Sequence, residues 1–378
     1  MINKMKRQAD LDLLRMICAS LVLMNHVNNF LKFRLNVSIN ENLEENIFIR
    51  IMASQGHVSV VVFFVLSGFY VGGNLKNQKL SRNKLKIYSI NRFSRIFTVL
   101  IPCLLFTFFL NKVTCSIDAN QPYCIGNQQL VGVSLSPENS SSLRTFLGNI
   151  FLLQGMKAKV FGGNSPLWSI SYEFWFYVIF PLILILLQKN LKLYRLSALL
   201  IIVGIVSLVN FTFHWYIWFV LWIFGALANS KKQKTKKYKN ISRFRVPIFL
   251  LIMSFSSAIS ILCCNSRVNT LNDSIVGFAV AIILYLSTGK NNDTVKSSMK
   301  FKEFSFSLYA FHFPIIPFLL SFITLLKIHT PDSFSLYYYL EFIILAAIIV
   351  ALCKVLSLYS EEYHLQFRKV LLRIGNLE

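Results

Sequence analysis

Residues 167–188 read LWSISYEFWFYVIFPLILILLQ, a stretch in which Glu173 is the one charged side chain. A helix that crosses a bilayer needs about 20 mostly apolar residues, so this stretch predicts a transmembrane helix. Comparable apolar runs recur along the chain and predict ten spans in all. These are 11–30, 50–73, 95–111, 167–188, 196–212, 214–230, 246–264, 273–288, 303–326 and 337–358.

The composition agrees with a membrane protein. Of the 378 residues 55% are hydrophobic and only 15% are charged, against about 25% charged in soluble domains. The first apolar run carries Asp12, Arg15 and His26 without a small-residue cleavage site after it, so we expect it to be retained as a helix. The sequence therefore predicts an all-α polytopic bundle of about ten transmembrane helices, as one domain over residues 1–378 without an appended soluble domain.

Positive charge predicts the orientation of the bundle. With the N-terminus inside, the inner segments hold 28 Lys and Arg and the outer segments hold 9. Cytoplasmic loops carry such an excess, so we expect both termini in the cytoplasm. This bias explains the net charge of +23 without a nucleic-acid partner, and no nucleic-acid motif is present.

The longest outer segment, 112–166, contains an apolar stretch at 143–161 that ends in two glycines. We predict an interfacial or re-entrant helix there. Cys115 and Cys124 lie in the same segment and can pair if it faces an oxidising compartment; two free thiols fit the sequence equally well. No cysteine spacing indicates a metal site.

Ionisable residues inside spans indicate function. Arg15 and His26 are eleven residues apart, so they share one face of the first helix, about 16 Å apart along its axis. Asp12 precedes Arg15 by three residues, so the two charges can partly neutralise each other. A snorkelling arginine and a histidine bonded inside the bundle are the structural alternatives.

Other polar residues lie in the second span and at the start of the third. Ser67 and Gly68 allow close approach of a ligand or of another helix, and we place His57 at the outer rim. Arg92 and Arg95 lie on one helical face at the membrane entry, an arrangement that suits phosphate, although positive-inside charge also explains them.

The fourth and ninth spans carry the remaining candidates. Glu173, near Trp168 and Ser169, can pair with a base such as His26, take part in proton transfer, or form a structural contact. Ser305, Tyr309 and His312 form one stripe of the ninth span.

In this order, the motifs resemble the acyltransferase-3 family of membrane acyltransferases, which includes O-antigen O-acetylases. The matching stretches are LDLLRMICASLVLMNH (11–26), FFVLSGF (63–69), NRFSRIFTVLIP (91–102), LWSISYEFWFYVIFP (167–181) and FSFSLYAFHFP (304–314). Leu13 stands where the family usually has Gly, and Phe306 where it often has Tyr. The family's C-terminal Glu-x-Pro is only partly met, at Glu362.

The resemblance implies acetyl-CoA as donor substrate, no permanently bound cofactor and no metal. With that donor, we hypothesise that His26 is the general base or a transient acyl carrier, and that Glu173 orients His26 or relays its proton. Donor binding falls to Arg15, Arg92, Arg95, Ser67 and Gly68. The supporting residues are Asp12, Trp168, Ser169, Ser305, Tyr309 and His312.

The implied acceptor is a cell-surface glycan, such as O-antigen, or a lipid-linked sugar at the outer face of a bacterial inner membrane. The rival readings are a secondary transporter and a glycan flippase or polymerase. The transporter lacks support because the sequence shows no inverted repeat. For the polymerase we would expect an Arg-rich outer loop.

Overall fold

A computed structural model describes residues 9–35, 51, 55–119, 124, 128–130, 133–135, 140–188, 194–229, 239–263, 266–287, 304–328 and 333–377. Most of the basic inner segments predicted at 1–10, 189–195, 231–245 and 289–302 lie outside these residues, as does Cys264. Within the described part, all ten predicted spans coincide with helices.

The chain forms an all-α polytopic bundle. The described α-helices, in chain order, are α1 (Ala9–Arg34), α2 (Gly56–Ser67), α3 (Gly73–Lys76), α4 (Arg82–Ile117), α5 (Leu143–Ile150), α6 (Leu167–Leu187), α7 (Arg195–Val209), α8 (Phe213–Ala228), α9 (Lys239–Cys263), α10 (Ser266–Ser287), α11 (Ser305–Leu325), α12 (Leu336–Tyr359) and α13 (His364–Ile374). Gly68–Gly72 is a π-helical turn that joins α2 to α3, and Phe161–Gly163 is a 3₁₀ turn. Two three-residue strands, β1 (Gln128–Leu130) and β2 (Val133–Leu135), pair antiparallel.

Six helical segments of the described chain are long and apolar enough to cross a membrane, judged by length and composition. They are Gly56–Lys76, Arg82–Ile117, Leu167–Leu187, Thr270–Ser287, Ser305–Leu325 and Leu336–Ile374. Three shorter apolar helices, Arg195–Val209, Phe213–Ala228 and Phe244–Ile259, complete the predicted set together with α1.

Burial separates inner from outer helices. α1 packs against α2, α11 and α12, and its Leu11, Leu14 and Cys18 are fully buried. The peripheral α7 instead exposes a row of large apolar side chains, including Leu196 and Leu200. A solvent-exposed row of this kind is costly in water and favourable in lipid, so the outer helices suit a bilayer.

The loop between α7 and α8 is only three residues long. Asn210 adopts a left-handed conformation (φ 56°) that ends α7, as asparagine does more readily than most residues. The Thr212 hydroxyl then accepts a hydrogen bond from the Trp215 amide (3.3 Å) and caps α8. This local chemistry explains how two spans meet with almost no connecting segment.

α4 is longer than the predicted span at 95–111. At 1.5 Å per residue its 36 residues measure about 54 Å, against about 30 Å for the bilayer core. The Ser81 hydroxyl caps its start by accepting from the Lys84 amide, and α13 packs along this polar extension, with Arg368 donating to Asn91. Periodicity of apolar residues alone does not reveal such an extension.

Candidate active site

Three arginines line one cavity at the end of the bundle where α1 begins. Arg15 of α1, Arg92 of α4 and Arg95 of α4 are all half-buried there. We call this space the arginine cavity; its remaining lining residues are Ser67, Tyr70, Val71, Ile96, Glu173, Tyr177 and Phe306. The structure thus brings together the three arginines, Ser67 and Glu173, which come from four different helices.

The arginine donors are not saturated by protein acceptors. The buried Nε atoms of Arg15 and Arg92 have no hydrogen-bond partner among the described residues. The guanidinium carbon of Arg92 lies 5.7 Å from the centroid of the Tyr177 ring, a cation–π contact that leaves the planar donors available. A buried guanidinium with open donors is suited to an anion that enters the cavity.

Glu173 belongs to a hydroxyl network on the wall of the arginine cavity. Tyr177 donates its hydroxyl proton to Glu173, and the Ser67 hydroxyl lies 3.0 Å from the Tyr177 oxygen. The indole N–H of Trp222 donates to Ser67 (3.1 Å). Ser67 therefore donates to Tyr177, and the chain of protons points toward the Glu173 carboxylate.

This network corrects the prediction that Glu173 orients His26. Glu173 is bonded to Tyr177 and lies in the arginine cavity, whereas the hydrogen bond that the structure gives the His26 ring is to His312. The sequence alone could not tell which helices face each other.

Gly68 is also corrected, from donor binding to helix packing. A Cβ at this position would lie 1.9 Å from the backbone oxygen of Trp222. On the facing helix a Cβ at Gly225 would lie 2.1 Å from the backbone oxygen of Val65. The two glycines therefore let α2, its π turn and α8 touch backbone to backbone, and only Ser67 of the predicted pair reaches the cavity.

A buried carboxylate that the family pattern did not single out lies behind Arg95, one of the residues that line the cavity. Glu361, between α12 and α13, is 7% exposed and lies 3.9 Å from Arg95. Its other oxygen accepts from the backbone amide (3.1 Å) and the hydroxyl (3.2 Å) of Ser307. Glu362, which the family pattern indicated, instead pairs with Lys354 at 3.7 Å.

His26 and His312 form a dyad deep in the bundle. Nδ1 of His26 lies 2.8 Å from Nε2 of His312, and the rings stack with centroids 5.1 Å apart. His312 is fully buried, and Phe313 packs edge-on against the His26 ring. This contact joins α1 to α11 and brings together two residues that the sequence predicted separately.

The backbone selects the tautomers of the dyad. Nδ1 of His312 lies 2.9 Å from the Leu308 carbonyl oxygen. Since a carbonyl can only accept, Nδ1 carries the proton, and Nε2 of the neutral ring holds the lone pair. Nδ1 of His26 must then donate to it, which leaves Nε2 of His26 as the basic, unprotonated atom.

Along α11, Tyr309 lies between Phe306, which lines the arginine cavity, and His312 of the dyad. Its hydroxyl lies 2.6 Å from that of Ser169, and Ser169 donates to the Pro166 carbonyl (3.1 Å), so Tyr309 is the donor to Ser169. The Tyr309 ring lies 6.3 Å from His312. Two members of the predicted stripe, Tyr309 and His312, thus reach the site. The third, Ser305, is buried at the start of α11, and the nearby Ser307 binds Glu361.

The segment before α6 folds back against the bundle, as the re-entrant prediction for 143–161 expected in part. Only Leu143–Ile150 is helical; Gly162 and Gly163 then turn with positive φ. The fully buried Asn164 follows, with Nδ2 at 3.2 Å from Thr107 Oγ1 and 3.1 Å from the Ala310 carbonyl oxygen. This amide ties the segment to α4 and α11 beside the site, a role that no sequence motif indicated.

Two further predictions concern the ends of the site. Asp12 is buried, and the ion pair described at this end of α1 joins Asp10 to Arg245 of α9. Cys115 and Cys124, whose pairing the sequence left open, form a disulfide bond.

Comparison with known proteins agrees with this arrangement. A family model described as an acyltransferase domain, that of the acyltransferase-3 family, matches residues 8–358. Neither the curated proteins nor the solved structures contain a match. The family model covers nearly the whole chain, including every helix that contributes to the arginine cavity and the dyad. The chain therefore belongs to the acyltransferase-3 family and is a membrane acyltransferase.

Proposed function

We propose that this protein moves an acetyl group from cytoplasmic acetyl-CoA to a hydroxyl of a cell-surface polysaccharide, such as O-antigen, or of its lipid-linked precursor. The acceptor would lie on the outer side of a bacterial inner membrane. The observation that carries the proposal is the cationic cavity of Arg15, Arg92 and Arg95, from which α1 leads to His26. The Nδ1 atom of this histidine is held by His312, so that Nε2 is its basic nitrogen.

The arginine cavity suits the donor. Coenzyme A carries phosphates, and guanidinium groups bind phosphate oxygens through paired hydrogen bonds. The open Nε donors of Arg15 and Arg92 supply such bonds. Glu361 lies 3.9 Å from Arg95 and Glu173 lines the cavity, so these carboxylates partly balance the arginine charge before the donor arrives.

The distance to the dyad suits the pantetheine arm. Arg15 and His26 are eleven residues apart on α1, which is about 16 Å of helix. An extended arm anchored by its phosphates at the arginines would place the thioester carbonyl near His26. Tyr309, between the two places, would border that route.

In the proposed reaction Nε2 of His26 accepts the proton of the acceptor hydroxyl as its oxygen attacks the thioester carbonyl. The carbon–sulfur bond breaks, and the protonated imidazole returns the proton to the departing thiolate, so that ester and free CoA result. His312 holds His26 in the tautomer that this step needs. An acyl group carried transiently on the same nitrogen would use the same geometry.

The proposed orientation has two supports. The inner segments hold 28 of the Lys and Arg residues and the outer ones 9. The Cys115–Cys124 disulfide lies in the longest segment placed outside, and disulfides persist in oxidising compartments such as the periplasm. Both features favour cytoplasmic termini and an outer acceptor.

The test is transfer of labelled acetyl from acetyl-CoA by the protein in proteoliposomes, with surface polysaccharide from a strain that lacks this gene as acceptor. We expect the wild type to label the polysaccharide and His26→Ala to abolish labelling while inserting normally. Wild-type rates in His26→Ala would overturn the assignment of His26. Polysaccharide or sugar transport without any use of acetyl-CoA would favour the transporter or flippase.

A further inference from the structure

Five rings cluster at the far ends of α2, α6 and α8 from the arginine cavity. We call them the outer aromatic cluster: His57, Trp168, Tyr172, His214 and Trp218. Trp168 and Trp218 lie 5.0 Å apart between ring centroids, and His57 lies 5.7 Å from Trp218. The proposed reaction uses none of these rings.

Polar groups accompany the rings. Nδ1 of His57 lies 3.1 Å from Asp273 of α10; the His57 side chain is 52% exposed, whereas that of Asp273 is 6% exposed. Trp218 is 7% exposed, yet its indole N–H has no hydrogen-bond partner in the described part of the chain. A buried donor left open in this way is costly unless a ligand or water meets it.

Three helices place the cluster at the depth of the dyad. Arg15, Ser67 and Tyr177 all line the arginine cavity. From Ser67 to His57 along α2 is about 15 Å, and from Tyr177 to Trp168 along α6 is about 14 Å. These lengths match the distance of about 16 Å from Arg15 to His26 on α1.

Direct contacts agree with this measure of depth. A Cβ at Gly56, next to His57, would lie 2.7 Å from Cβ of Asn25, which is next to His26. Ser169, next to Trp168, bonds to Tyr309, one helical turn from His312. The cluster therefore lies beside the reacting histidine, about as far from the arginine cavity as the dyad is.

We propose that the outer aromatic cluster is the acceptor subsite and that it binds a sugar ring of the polysaccharide. A pyranose has flat C–H faces that stack on indole and imidazole rings, and an edge of hydroxyls that pairs with groups such as the His57–Asp273 pair and the open indole N–H. A ring belt that anchors the protein in lipid headgroups would spread around the perimeter, whereas these rings pack on one another between three helices. This inference rests on the proposed function for the identity of the acceptor.

The test separates acceptor binding from transfer. Nanodisc-reconstituted protein without acetyl-CoA is titrated with the unacetylated surface polysaccharide described above, and the dissociation constant is measured by biolayer interferometry. Trp218→Phe removes the open N–H but keeps a ring, Trp168→Leu removes a stacking face, and His57→Gln keeps a donor for Asp273 but removes the imidazole. The matched control is Trp175→Phe. Trp175 lies on α6, as Trp168 does, but its indole N–H already donates to the Leu152 carbonyl oxygen.

We expect each cluster variant to weaken polysaccharide binding about tenfold and Trp175→Phe to leave it unchanged, with acetyl-CoA binding the same in all four. Binding equal to the control in all three cluster variants, or equal losses for both ligands, would overturn the inference. His57→Gln alters an exposed side chain, so it keeps the test valid if a tryptophan variant misfolds. A wild type that binds polysaccharide at the cluster yet transfers no acetyl group would overturn only the proposed reaction.

Discussion

Nε2 of His312 lies 2.8 Å from Nδ1 of His26. Because Nδ1 of His312 donates its proton to the Leu308 carbonyl oxygen, Nε2 of His312 can only accept a hydrogen bond from His26. One backbone carbonyl on α11 thereby decides which nitrogen of a histidine on α1 is basic. The relation resembles other sites in which the orientation of a working histidine is set by the partner of its second nitrogen.

The dyad predicts different outcomes for two substitutions of His312. His312→Gln places an amide oxygen where Nε2 stood, so it can still accept from His26, whereas His312→Phe cannot. We expect His312→Phe to lower kcat for acetyl transfer by about 10²-fold or more and His312→Gln to recover part of that loss. The KM for acetyl-CoA should stay constant in both; a rise in KM with unchanged kcat would contradict a positioning role.

The arginine cavity predicts a charge effect on donor binding. Arg92→Ala removes a charged donor, and charge-assisted hydrogen bonds contribute roughly 1.5–3 kcal/mol, so we expect the dissociation constant for acetyl-CoA to rise at least about tenfold. The dissociation constant of Arg92→Lys should lie between those of the wild type and Arg92→Ala, because lysine keeps the charge but lacks the planar guanidinium group. Isothermal titration checks this, with the exposed Arg144→Ala as control; equal affinities would remove Arg92 from the donor site.

Neighbouring glutamates offer a matched pair for stability. Glu361→Ala leaves the buried Ser307 amide without its acceptor and Arg95 without its counter-charge, which should cost about 1–3 kcal/mol of unfolding free energy. Glu362→Ala loses a half-exposed pair with Lys354, worth about 0–1 kcal/mol. Thermal unfolding followed by size-exclusion chromatography compares them, and equal melting temperatures would contradict the assignment.

The contact between α2 and α8 predicts that replacing a glycine by alanine destabilises the fold at some positions and not at others. Gly225→Ala would bring a methyl group 2.1 Å from the Val65 backbone oxygen, so we expect marked loss of folded protein. Gly204→Ala, on the lipid-exposed α7, meets nothing within 4 Å. It should be neutral or stabilise the helix by up to about 1 kcal/mol. Yields of monodisperse protein in detergent measure both, and similar yields would contradict the packing described.

The disulfide predicts the accessibility of its segment. In intact cells, a membrane-impermeant maleimide should label Cys115 and Cys124 only after treatment with a reductant, because the pair is oxidised and lies outside in the proposed orientation. Cys263 and Cys264 are changed to Ser throughout. The buried Cys18, Cys103 and Cys353 then serve as the unlabelled background when both loop cysteines are also changed to Ser. Labelling without reductant would contradict the bond, and no labelling after reduction would contradict the orientation.

Much of the architecture was predictable because long apolar runs have few alternatives to a transmembrane helix. The spacing of Arg15 and His26 on α1, and of Arg92 and Arg95 on α4, follows from helix geometry within one element. The sequence could not show which helices face each other. Glu173 was therefore assigned to His26 although α6 presents it to the arginine cavity, and His312 was found without its partner.

Short-range errors have a similar origin. Glu361 and Glu362 are adjacent, and only the turn between α12 and α13 decides which one is buried. A small residue in a span such as Gly68 is compatible with close approach of a ligand or of another helix. Only the position of α8 in the structure shows that the second applies here.

Asn164 has a consequence for the permeability of the membrane. An enzyme whose two substrates arrive from opposite compartments contains polar space at both ends, and any continuous water column through it would dissipate the proton gradient. The Asn164 amide bonds α4 and α11 at once, so those helices cannot separate there without breaking at least one of the two bonds. In the proposed transfer across the bilayer, this single buried amide would thus help to keep the catalyst from becoming a leak.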